Sequence, residues 1–120
     1  MLIDFYKTEQ YKSDGRQINA VIRLNPQHDI FKGHFPNNPV TPGVCMLQIF
    51  KELSERGLDK KLFIKECSNV KFMALINPEI HSELEITIVL DENEEGFKMK
   101  ASASFDSTTA LKVSALLTVQ

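Results

Sequence analysis

Three stretches in the second half of the chain alternate apolar and polar residues with a period of two. That pattern constrains the fold more than any other feature. Leu84, Ile86, Ile88 and Leu90 alternate with Glu83, Glu85, Thr87 and Val89. Phe97, Met99, Ala101, Ala103 and Phe105 alternate with Lys98, Lys100, Ser102 and Ser104, and Leu111, Val113, Ala115, Leu117 and Val119 repeat the rhythm. Successive side chains of a strand point to opposite faces, so each stretch predicts a strand with one apolar face. Polar turns at 91–96 and 106–109 join the three as an antiparallel meander. Ile18, Ala20, Ile22 and Leu24 show the same alternation. Asp14-Gly15 ahead of them supplies a turn, so residues 3–24 read as a hairpin. Ile64, Val70 and Phe72 mark one further, irregular strand.

Between hairpin and meander the rhythm changes. Residues 25–41 hold Pro26, Gly33, Pro36, Asn37, Asn38 and Pro39, which break regular structure and predict a long ordered loop. A loop of that length in a compact domain is usually functional. A helix follows from about Thr41 to Arg56. Thr41 can cap the free backbone N–H groups, Pro42 suits the first helical position, and Gly57 sits where a helix stops. Val44, Leu47, Phe50 and Leu53 recur at three-residue steps, and Met46 and Ile49 widen the stripe, which predicts burial on several sides. One greasy helix and one long antiparallel sheet have a natural solution, in which the sheet curls around the helix. The expected class is therefore α+β with the hot-dog layout, and 120 residues suit a single domain.

Composition removes other classes. With 42% apolar and 25% charged residues the chain is globular in character. A net charge of −2 disfavours nucleic-acid binding, which needs a basic surface. No apolar run approaches the ~20 residues that span a bilayer, and the start lacks the basic and apolar segments of a signal peptide. Cys45 and Cys67 are far apart, which predicts buried thiols in a reducing compartment, with the cytoplasm as the expected address. His28 and His81 read as surface residues. With no Cys/His cluster, neither a metal site nor a cofactor is expected.

The most informative segment is Gly33-His34-Phe35-Pro36-Asn37-Asn38-Pro39-Val40-Thr41-Pro42-Gly43-Val44. It resembles the signature of β-hydroxyacyl-acyl carrier protein dehydratases of the FabA/FabZ type, roughly GHFPxxPxxPGV. Val70-Lys71-Phe72 followed by Asn77-Pro78 resembles the family's second block more weakly. The resemblance spans about residues 17–119. It implies a hot-dog dimer that removes water from a 3-hydroxyacyl group held as a thioester on a carrier protein's phosphopantetheine. A histidine takes the α-proton. A carboxylic acid fourteen residues later, usually from the other subunit, protonates the departing hydroxyl. A backbone N–H at the helix start holds the thioester carbonyl. By this resemblance His34 is the base and Gly43 binds the carbonyl, with Phe35 and Val44 as substrate-binding neighbours.

The roles make physical sense. An α-proton beside a thioester needs a base near neutral pKa, for which His is suited. A helix N-terminus offers N–H groups and a dipole to the developing negative charge. The acid position departs from the family, because the residue fourteen after His34 is Gln48. A carboxamide has no proton to give, although it can hydrogen-bond a hydroxyl or position a water. Glu52, one turn further on, is the nearest carboxylate, and its ordinary reading is a solvated face residue.

Three functions stay open: a dehydratase in fatty acid or related polyene or polyketide biosynthesis, a half-site or non-catalytic subunit of a heteromeric dehydratase, and an acyl thioesterase of the same fold. The implied partners are an acyl carrier protein and a second copy or a dehydratase-like chain, with no nucleic acid and no membrane. Met46, Phe50, Phe72 and Phe105 are candidate walls of an acyl tunnel, and ordinary core residues otherwise. Lys32, Lys51, Arg56, Lys60 and Lys61 are scattered cations, solvated by default, that could greet an acidic carrier.

Overall fold

The alternating stretches become strands where their periodicity predicts. The computed structural model describes residues 4–32 and 40–120. In chain order the elements are β1 (Tyr6–Ser13), β2 (Gln17–Leu24), α1 (Asp29–Lys32), α2 (Gly43–Leu58), β3 (Leu62–Phe72), β4 (Glu83–Glu92), β5 (Phe97–Phe105) and β6 (Thr108–Val119). The six strands form one antiparallel sheet in the order β1-β2-β4-β5-β6-β3. With the long helix α2 packed on the sheet's apolar face, this is the α+β hot-dog arrangement.

Register explains the core. Ile18 pairs with Ile88 and Ile22 with Leu84, and Ala101 pairs with Val113, so cross-strand neighbours place their apolar side chains on the same face. All six are buried, as are Met46, Ile49, Phe50 and Leu53 of α2. Each buried Ile, Leu, Val, Met or Phe side chain among them contributes about 1.5–3 kcal/mol of transfer free energy. The turn between β4 and β5 depends on Asn93, whose Oδ1 accepts from the N–H groups of Glu95 and Gly96, both at 2.9 Å. Gly96 adopts φ +153°, and a Cβ there would lie 2.2 Å from the Leu117 carbonyl oxygen.

Several expectations are corrected. The helix starts at Gly43 with Pro42 as its N-cap, and no side chain caps it, so Thr41 does not play that part. It runs through Gly57 to Leu58, and Asp59 in the left-handed conformation (φ 54°) ends it by donating its N–H to Glu55 O. Gly57 serves packing instead: a Cβ would lie 2.8 Å from Ile18 Cδ1 and 3.1 Å from the Tyr11 hydroxyl. The helix buries one face only, since Val44 is 72% exposed and Leu47 and Gln48 are partly exposed. Strand β3 is an edge strand with two register shifts, and its Phe63, Cys67, Val70 and Phe72 are exposed, so Cys67 is not a buried thiol. Val119 is exposed as well. The 25–41 segment contains α1, whose Phe31 stacks on Phe5 at 5.2 Å; residues 33–39 of the expected loop lie outside the described residues.

Candidate functional site

The N-terminus of α2 is held by one strong tie, the Thr41 N–H donating to Ile76 O at 2.8 Å. Cys45 and Met46 donate back to Pro42 O. Among the described residues nothing accepts from the N–H of Gly43 or Val44, and the buried Thr41 hydroxyl has no partner. Unused N–H groups at the positive end of a sixteen-residue helix suit an oxygen that gathers negative charge. The Phe72 ring roofs this point: its Cε2 and Cζ lie 3.2 and 3.3 Å from where a Gly43 Cβ would stand. A side chain at Gly43 would therefore require the exposed Phe72 ring to give by a few tenths of an ångström.

One turn along α2 stands Gln48, partly buried. Its Nε2 donates to Glu52 Oε2 at 2.9 Å, and the Tyr6 hydroxyl on β1 donates to Glu52 Oε1 at 2.8 Å. Glu52 is therefore no free solvated residue; it bridges the helix to the first strand. Burial, then the hydrogen bond from Tyr6 to Glu52 and the charge on Glu52, push the Tyr6 phenol well above the usual tyrosine range, so it remains protonated. The i,i+4 spacing of Gln48 and Glu52 was visible in the sequence. Tyr6 carried no such signal, because it meets Glu52 across 46 positions of chain.

Beyond Glu52 an open groove of about 570 Å³ runs past Tyr6, Glu55, Arg56, Asp59 and Lys60, with charges of both signs. The cations here are not all free. Arg56 lies 3.9 Å over the Tyr11 ring, while Lys51 pairs with Glu55 and donates to Leu62 O.

The remaining site residues separate. His34 and Phe35 lie outside the described residues. Gly43 and Gln48 are on the same helix, one turn and a third apart, with Val44 exposed between them. Of the four tunnel-wall residues, Met46 and Phe50 are fully buried core, and Phe105 stacks on His81 with ring centroids 3.9 Å apart. Only Phe72 touches the site. His81 also lies 3.3 Å from Asp106, and His28 packs against Phe5 and accepts from the Ile30 N–H, so both histidines pin loops where surface positions were expected. Cys45 is a core thiol whose pKa burial pushes up. Among the described residues no three His, Cys, Asp or Glu side chains cluster as metal ligands, and no helix is long and apolar enough to cross a membrane.

Comparison with known proteins follows the same lines. Residues 9–110 match the model of the ApeI-like family, described as ApeI dehydratase. The 3-hydroxyacyl-acyl-carrier-protein dehydratase FabZ of Erythrobacter litoralis is 26% identical over 104 residues, covering 79% of this chain and 68% of the relative. FabZ of Halalkalibacterium halodurans is 25% identical over 114 residues, covering 89% and 81%. Among solved structures, a chain of the dehydratase heterocomplex ApeI:P from Xenorhabdus doucetiae superposes with a TM-score of 0.80 at 22% identity, covering 93% of this chain and 96% of that one. An uncharacterized protein from Erwinia carotovora subsp. atroseptica gives 0.70, also at 22% identity, covering 94% and 93%.

Proposed function

The chain belongs to the ApeI-like family, and on that premise we propose that it is one subunit of a heteromeric dehydratase. Its substrate would be a 3-hydroxyacyl thioester on the phosphopantetheine arm of an acyl carrier protein. One observation carries this reading. Gln48, tied to Glu52 and Tyr6, stands where the proton donor for the leaving hydroxyl is expected. The chain contributes His34 and the free N–H groups at Gly43, but no acid at that position.

The reaction divides accordingly. His34 takes the α-proton while the Gly43 N–H holds the thioester oxygen, on which charge accumulates. The C–O bond to the 3-hydroxyl breaks, and a carboxylic acid of the second chain protonates that oxygen, so water leaves and an enoyl thioester remains. By the family resemblance Phe35 and Val44 would be substrate-binding neighbours of these groups. The likeness to a chain of a dehydratase heterocomplex supports the two-chain reading. So do the exposed apolar side chains of Val44, in the first turn of the helix, and Phe72, which roofs it, since exposed apolar surface marks interaction sites.

The test is reconstitution. The chain is assayed alone and mixed with a dehydratase-like chain encoded beside it, on a carrier-linked 3-hydroxyacyl substrate, with sedimentation of each sample. Turnover that needs both chains, together with a mixed oligomer, is the expected result. Full turnover by this chain alone refutes the subunit reading in favour of a self-sufficient dehydratase.

A further inference from the structure

A side-chain amide has an accepting end and a donating end, and its surroundings decide which way each points. Gln48 has one clear instruction. An ionised carboxylate only accepts hydrogen bonds, so Glu52 must face the Gln48 nitrogen. The second Glu52 oxygen takes the Tyr6 hydroxyl, and Tyr6 stays protonated and so donates. Both carboxylate oxygens are thereby committed as acceptors, and the Gln48 amide is fixed with Oε1 directed away from Glu52. Among the described residues no hydrogen bond occupies that Oε1, and it is not a buried atom.

We infer that Tyr6 and Glu52 hold Gln48 as an oriented acceptor for the 3-hydroxyl of the acyl chain, so that this half-site recognises the hydroxyl and retains it. The inference rests on the reading that this part of α2 faces an acyl thioester. In the family pattern an acid at this position gives a proton to the hydroxyl and drives it off. An amide held oxygen-outward does the converse: it receives the hydroxyl's hydrogen bond and has no proton to transfer to the leaving oxygen. Gln48 is then a specificity residue, Glu52 a positioning residue, and Tyr6 the support that keeps Glu52 in place. The strand β1 enters the site through this support.

Two measurements on this chain, in complex with its dehydratase-like partner, test this. First, the side-chain amide resonances of Gln48 are followed in isotope-labelled protein. They should shift strongly in Glu52→Gln, where either amide orientation becomes possible, and more weakly in Tyr6→Phe. Second, affinities are compared for a 3-hydroxyacyl-pantetheine and its saturated counterpart of equal chain length. Wild type should prefer the hydroxylated thioester by about three- to tenfold, the worth of one neutral hydrogen bond. Both variants should bring that ratio toward one while binding the saturated thioester within about twofold of wild type. A purely structural role would weaken both ligands together and leave the ratio unchanged, which overturns the inference. Equal affinity for the two thioesters in wild type overturns it as well, while leaving the acyl-site reading intact. Absence of binding by either thioester overturns the acyl-site reading and the inference with it. Tyr6→Phe keeps the ring in place and so remains informative if Glu52→Gln does not fold.

Discussion

Replacing Gln48 by glutamate should create the missing acid, and the neighbourhood of Gln48 sets how well. The swap exchanges an amide nitrogen for an oxygen, so packing changes little. The new carboxyl would stand where the amide now lies, 2.9 Å from Glu52. Two unit charges ~4 Å apart repel by ~4 kcal/mol at an effective dielectric of ~20. Both positions are only partly buried, so solvent screening reduces this to about 2–4 kcal/mol. Since ~1.4 kcal/mol corresponds to a factor of ten, the pair loses its last proton roughly one and a half to three pH units later than an isolated glutamate would. A carboxyl pair in Gln48→Glu therefore keeps a shared proton near neutrality in a substantial share of molecules, as close carboxylate dyads do. That proton is what the departing hydroxyl requires.

For the chain assayed alone, the expected gain is ~10²–10⁴ in turnover of a carrier-linked or pantetheine-linked 3-hydroxyacyl substrate, the usual worth of a general acid. Enoyl thioester formation is followed for wild type and variant, each alone and mixed with the neighbouring dehydratase-like chain. The variant's activity should fall as pH rises through the pair's last ionisation. The sign for stability is the same. The folded pair holds a proton that the unfolded glutamates release near ~4.3. The variant therefore has its full stability below that pH and loses about 2–4 kcal/mol relative to wild type as pH rises through the folded pair's ionisation. The transposed variant Gln48→Glu/Glu52→Gln has no like-charged neighbour, so its acid is ionised near neutrality and its gain should be smaller. A folded Gln48→Glu with no gain when assayed alone refutes the missing-acid reasoning, and so does wild type that is, by itself, already as active as the variant.

Three further outcomes follow. His34→Ala should abolish nearly all turnover of any 3-hydroxyacyl or enoyl thioester by this chain or its complex, and undiminished turnover in that variant places the chemistry elsewhere. Gly96→Ala should cost about 2–4 kcal/mol in urea unfolding, because φ +153° suits only glycine and the Leu117 carbonyl blocks a Cβ. Gly15→Ala, with φ +91° but only an ordinary contact to the Gly57 carbonyl oxygen at 3.9 Å, should cost about 1 kcal/mol; equal losses would show that the backbone clash is relieved. Cys67, exposed on the edge strand, should react with a thiol reagent at pH 8 well before Cys45, whose pKa burial raises; equal rates for the two thiols would contradict the packing of the α2 start.

The fold was legible wherever one physical demand fixed the pattern. Period-two alternation places Leu84–Leu90, Phe97–Ala103 and Leu111–Leu117 correctly because a one-residue slip would turn every side chain to the wrong face. Helix ends were less legible. Thr41 and Gly57 carry the right chemistry for cap and stop, yet Pro42 and Asp59 take those places. Gly57 is glycine because Ile18 and Tyr11 of the hairpin crowd it, a reason that exists only once the hairpin lies on the helix. The site divides in the same way. The positions of Gln48 and Glu52 followed from local spacing. The tie that fixes them depends on Tyr6, whose hydroxyl donates to Glu52, and no local pattern relates residue 6 to residue 52. His81 was unreadable for the same cause, since its partners Phe105 and Asp106 come from another strand and turn.

The two edges of the sheet meet the helix at different points, and this bears on how a partner could control the site. β1, one edge, fixes the later turns of α2: Tyr6 binds Glu52, and the Tyr11 hydroxyl donates to Leu53 O at 3.0 Å. These contacts are internal, so the Gln48 amide is oriented before any partner arrives. β3, the other edge, reaches the first turn through Phe72 over Gly43, and its outer groups are open to pairing. A second chain adding to β3 would press on Phe72 and hence on the N–H groups meant for the thioester carbonyl. On the subunit reading, recognition of the hydroxyl therefore belongs to this chain alone. On the same reading, access to the N–H groups at Gly43 would depend on assembly, because the strand that roofs them is the strand a partner would extend.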